Sequence, residues 1–112
     1  MSKPAISTAI PLSRYRFGEF TLTVLGDIDS PDERQYRYIM AVVQGEDPEP
    51  GLYISAESGQ GDAVAMRVMM SDGDEVIGHS EDWRDLAAFT DEAINMVSRI
   101  LNLSDETPYQ LM

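Results

Sequence analysis

Residues 81–103 read EDWRDLAAFTDEAINMVSRILNL, and the fold turns on this stretch. Asp82 is suited to cap a helix, because its carboxylate can accept from a free N–H of the first turn. Asp85, three residues on, can answer it as in a capping box, and both acids sit at the positive end of the helix dipole. One apolar stripe runs through Trp83, Leu86, Ala87, Thr90, Ala93, Ile94, Val97, Ile100 and Leu101. A second runs through Phe89, Ala93, Met96, Ile100 and Leu103. Steps of three and four place each stripe on one helical face. Together they cover more of the circumference than one sheet face hides. Either the helix sinks deeply into a core, or Phe89, Met96 and Leu103 form a seam for a partner.

Upstream, the pattern has the two-residue period of strands. Phe20, Leu22 and Val24 alternate with Glu19, Thr21 and Thr23, which predicts a strand over 15–25. Residues 35–44, QYRYIMAVVQ, predict a second strand, apolar on both faces and therefore central or covered twice. The turn GEDPEP over 45–50 cannot continue a central strand, because Pro48 and Pro50 lack N–H donors. Residues 51–57 and 63–71 predict two more strands. Asp72-Gly73 signals a type I′ hairpin turn, and 75–79 returns as a fifth strand. Residues 1–14, with Pro4 and Pro11 and no sustained period, read as an irregular arm. Residues 104–112 read as a flexible tail.

The expected fold class is therefore α+β: an antiparallel β-meander of about five strands, then one long C-terminal helix packed on one sheet face. The single domain spans 15–103. Tyr53, Ala41, Val43, Ile39, Met69 and Ile77 make the second sheet face too apolar for water; either the N-terminal arm or a second chain covers it, and a homodimer is favoured. The order of elements resembles that of dimeric single-strand DNA-binding coactivators. The size and acidity resemble small secretion chaperones, which begin with a helix where this chain does not. Likeness at this level carries no function.

The chain of 112 residues holds 20 acids against 8 bases, a formal net charge of −12. Phosphate backbones and anionic membranes should repel it, so direct nucleic-acid binding and membrane association are not expected. No run approaches the roughly 18 apolar residues of a membrane span, no signal peptide is recognisable, and a cytoplasmic location is the default. The absence of cysteine excludes disulfides and thiolate metal sites. The attractive partners are a cationic protein surface or metal ions.

Little in the sequence points to catalysis. His79, Ser80 and Asp82 hold the residue types of a catalytic triad, but neighbours on a strand point to opposite faces. Asp27, Asp29, Asp32 and Glu33 begin like an EF-hand loop, yet Pro31 falls at a ligand position and the required glycine is missing. Gly59-Gln60-Gly61 lacks the context of a dinucleotide fingerprint. No cofactor is expected, and no catalytic or metal-binding residue is assigned. Alternate loops of a meander share an end, so Asp27, Asp29, Asp32, Glu33, Asp62, Glu81 and Asp82 should gather at one end. Glu46, Asp47, Glu49, Asp72, Asp74 and Glu75 should gather at the other.

These features predict a non-enzymatic acidic protein-interaction module, homodimeric, with Phe89, Met96 and Leu103 as one candidate contact surface. Asp27, Asp29, Asp32, Glu33, Glu81 and Asp82 form the other. The alternative is an acidic inhibitor, an immunity protein or nucleic-acid mimic, that occupies a basic cleft. A small carboxylate-dependent enzyme is a third reading, opposed by the little cleft that such a meander offers.

Overall fold

The computed structural model describes residues 4–31, 35–58 and 63–111. Seven strands form one antiparallel sheet: β1 Thr8–Phe17, β2 Phe20–Asp29, β3 Gln35–Gln44, β4 Leu52–Ser58, β5 Val64–Met70, β6 Gly73–Ser80 and β7 Tyr109–Gln110. Their order is β6-β5-β4-β3-β2-β1-β7, a meander in which only the short β7 lies out of sequence. A 3-10 turn, Glu81–Arg84, leads into helix α1, Leu86–Leu101. The α+β class and the C-terminal helix hold, but the sheet has seven strands where about five were expected.

The two additional strands come from the ends of the chain. The stretch 15–25 is a hairpin rather than one strand, with Phe17 opposite Phe20. Gly18 turns the corner at φ 60°, a conformation that costs glycine little. The second half of the expected irregular arm, residues 8–14, belongs to β1, and two residues of the expected tail form β7 opposite Tyr15 and Arg16. β1 hides from a periodicity search because its pairing with β2 is irregular. Pro11 faces Leu25 and Ser13 faces Val24, so Leu12 is an extra residue that breaks the alternation. The pairs Thr8–Asp29 and Ile10–Gly26 leave Asp27 and Ile28 opposite Ala9 alone. Asp27 absorbs this second bulge at φ 46°, in a region that Asp enters more readily than most residues.

β3 lies at the centre of the sheet, as its doubly apolar sequence requires. Met40 and Val42 join the core beneath α1, while Ile39 faces the opposite side with Tyr36 and Met69. A bulge between Tyr36 and Tyr38 switches the alternation, so Tyr38 faces the helix and Tyr36 does not. Tyr38 stacks on Phe89 with centroids 5.5 Å apart.

The N-cap of α1 is Asp85, not Asp82; its side chain accepts from Ala88 N at 3.0 Å. Ser80 caps the preceding 3-10 turn by accepting from Asp82 N. The helix ends at Asn102, which adopts φ 56°, and Leu103 N donates to Ser98 O, a closure common at helix C-termini. Trp83 lies against Gly78, where an added Cβ would come within 3.3 Å of the indole. The Asp72-Gly73 turn also differs from expectation. Met70 pairs with Gly73, so Ser71 and Asp72 are the middle residues, and Gly73 opens β6 at φ 143°.

Phe89, Ala93 and Val97 are fully buried. Met96, Ile100 and Leu103 are half-buried against the same core. The stripe that seemed surplus is absorbed because the sheet is wider than expected: Phe17 and Tyr15 of β1 join the core beneath α1. The second sheet face closes on itself. Leu25, Ile28 and Tyr53 pack around Tyr36, Ile39 and Met69, and Ser55, Glu57, Arg67 and Asp74 form a polar chain across β4, β5 and β6. Among the described residues no helix is long and apolar enough to cross a membrane.

Candidate functional site

The meander sets the sheet's loops at two ends. The β2–β3 loop and the β6–α1 junction share one. Asp27 and Asp29 are exposed toward the end of β2, and Glu81 and Asp82 are exposed in the 3-10 turn. Asp32, Glu33 and Asp62 lie outside the described residues. Glu81 and Asp82 line an open depression together with Arg37, Arg84, Asp85 and Ala88. Arg37 Nε donates to Arg84 O at 2.9 Å, which holds one guanidinium among these acids. Glu81, Asp82 and Asp85 therefore share this depression with two cations, Arg37 and Arg84.

The other end is built differently. The β1–β2 turn, the β3–β4 loop, the β5–β6 turn and the carboxyl end of α1 meet there. Phe20, Val42, Leu52, Met70 and Leu101 wall a cavity of about 200 Å³ whose polar lining is Gln44, Asp47 and Glu49. None of the described residues that line it is basic. Gln44 Nε2 is held by Glu19 Oε1 at 2.6 Å, which adds a third carboxylate nearby. Burial raises the Tyr53 phenol above its usual 10.0, and the negative charge of Glu49 raises it further. The sequence GEDPEP signalled a turn but not this cavity, because the walls come from β2, β3, β4, β5 and α1, residues far apart in the chain.

Of the expected helix seam, Phe89 is wholly inside, and Met96 and Leu103 are half-buried against the core. Apolar exposure lies elsewhere. Of the large apolar side chains that remain exposed, Ile6, Ile10, Leu12, Tyr109 and Leu111 belong to β1, the segment before it, or the C-terminal strand segment beside it; Ile77 lies on β6. Ile10 and Leu111 are each 51% exposed and Tyr109 is 61% exposed. Leu111 N donates to Arg14 O at 2.7 Å, so the C-terminal segment and β1 form one continuous edge. A groove of about 250 Å³ runs beside it between Leu12, Ser13, Tyr15 and Gln110 on the sheet and Leu86, Ala87, Thr90 and Asp91 on the helix.

His79 is exposed on β6 opposite Ala65, while Ser80 is engaged as the cap of the 3-10 turn. Among the described residues no group of three or more His, Cys, Asp or Glu is arranged to hold a metal ion. Comparison with protein-family models, with curated proteins and with solved structures finds no match.

Proposed function

We propose that the protein is a non-enzymatic acidic interaction module that pairs with a second copy along the β1–β7 edge and presents carboxylates to a basic protein surface. One observation carries this reading: of the large apolar side chains that remain exposed among the described residues, all but Ile77 lie along β1 and the segments beside it. The apolar side chains gather on the β1–β7 edge. β1 itself, TAIPLSRYRF, contains Arg14 and Arg16 and no acid. In a chain of net charge −12, an acid-free strand lowers the repulsion that a second copy meets, with Asp27 and Asp29 confined to the far end across from Ala9 and Thr8. Pro11 and the bulges of β1 guard against strand addition. The pairing therefore uses the side chains of Ile10, Leu12, Tyr109 and Leu111 rather than a continued sheet.

That arrangement leaves the acidic ends of the sheet free to meet a cationic partner. Binding of labelled poly-lysine, followed by fluorescence anisotropy across a salt series, tests the second half of the proposal. Saturable binding that weakens steeply is expected, because the Debye length shrinks from about 10 Å at 0.1 M to about 3 Å at 1 M salt. Binding that is absent at low salt, or indifferent to salt, would oppose it.

A further inference from the structure

The cavity at the Asp47–Glu49 end has a shape and polarity that deepen this reading, on which the following inference rests. Its volume of about 200 Å³ falls below the roughly 300–1,000 Å³ of sites for drug-sized ligands. It is large enough for one side chain rather than a nucleotide or a flavin. Its walls are apolar and its lip carries Asp47 and Glu49. Leu101, the last residue of α1, forms part of the wall, so the cavity also lies at the negative end of the helix dipole. An apolar interior with a negative mouth complements a long alkyl stem that ends in a cation. Lysine and arginine have that construction, burying the stem while the charged head remains at the rim.

We infer that this cavity receives a lysine or arginine side chain presented by the basic partner. The stem lies against Leu52, Met70 and Leu101, and the charged head meets Asp47 and Glu49. The opposite end of the sheet, where Arg37 and Arg84 accompany Glu81 and Asp82, lacks this complementarity.

Backbone-amide NMR titration with hexylammonium, and in parallel with hexanol, tests the inference. Hexylammonium should shift Gly51, Leu52 and Leu101 saturably and bind about two- to fivefold more tightly than hexanol, as expected for an exposed charge pair. Asp47→Asn with Glu49→Gln should remove that advantage, while Glu81→Gln with Asp82→Asn should leave it intact. Gly51→Leu should abolish binding of both probes without unfolding the protein, because a Cβ at Gly51 meets nothing within 4 Å and the backbone there is unstrained. Shifts scattered over all the acidic loops, equal loss in the two carboxylate variants, or equal affinity for the two probes would overturn it. Poly-lysine binding without site-specific hexylammonium binding overturns the cavity's role and leaves the wider reading standing. Hexylammonium binding at the cavity without poly-lysine binding does the reverse.

Discussion

Arg67 donates from Nε to Glu57 Oε2 across 2.7 Å, on the sheet face opposite the helix. The same carboxylate oxygen accepts from Ser55 Oγ at 3.0 Å, and Arg67 Nη1 reaches Asp74 at 2.6 Å. Burial alone would lower the Arg67 pKa; the hydrogen bonds and charges of Glu57 and Asp74 outweigh it, and the group is held above its usual value. Glu57 is 7% exposed, so removal of its cation leaves a poorly solvated charge. Arg67→Met should cost about 2 kcal/mol in urea unfolding, less than for a fully buried pair because Arg67 is partly solvated. Arg67→Met combined with Glu57→Gln should cost less than the sum of the single changes. Strict additivity would show that the pair is not coupled.

The Tyr38–Phe89 stack separates a core role for Phe89 from a role in association. Phe89→Ala should destabilise the fold by about 3–5 kcal/mol, as large cavities in cores do. Met96→Ala, at a half-buried position, should cost about 1–2 kcal/mol. Neither change should alter the molecular mass in solution at a concentration where the variant remains folded. A mass change with little loss of stability would restore the helix as a seam.

Tyr53 gives the fold an alkaline limit. Its pKa is raised on folding by burial and by Glu49, so folding favours the neutral phenol. The stabilisation is complete below the unfolded-state value of 10.0 and is lost as pH rises from there through the folded-state value. Tyr53→Phe should lessen the fall in stability above pH 10.0, and Glu49→Gln should lower the Tyr53 pKa seen in ultraviolet titration. An unchanged titration in Glu49→Gln would remove Glu49 as a cause.

Leu12, the bulged residue of β1, lies over Gly26. A Cβ at position 26 would come within 2.5 Å of Leu12 Cδ1 and 3.0 Å of its Cγ. Gly26→Ala should cost about 1–2 kcal/mol by forcing this side chain aside. Adding Leu12→Ala should recover part of the loss measured against Leu12→Ala alone. Without recovery, the close approach is not the source of the cost.

These relationships also show why the sequence was only partly legible. The helix was readable because its apolar residues recur every three or four positions, and β3 because its doubly apolar run requires a central place. β1 was not readable: Pro11 and the extra residue Leu12 erase its alternation, and only pairing with β2 compensates. β7 is two residues long and owes its conformation to β1. The positions of Glu81 and Asp82 at one end of the sheet and of Asp47 and Glu49 at the other followed from counting loops in a meander. The cavity did not, since Phe20, Val42, Leu52, Met70 and Leu101 meet only when the sheet and helix are assembled. The excess apolar stripe on α1 was a correct observation with a different cause, a sheet broad enough to cover it.

Pairing along the β1–β7 edge is most directly tested by light scattering coupled to gel filtration, on the wild-type chain and on Ile10→Asp combined with Leu111→Asp. Both altered positions are exposed, so thermal stability of the folded subunit should be retained. The wild-type protein should show twice the 12.5 kDa chain mass, and the variant should return to 12.5 kDa. A wild-type protein that stays at 12.5 kDa at every concentration, or a variant that remains a dimer, would contradict the account.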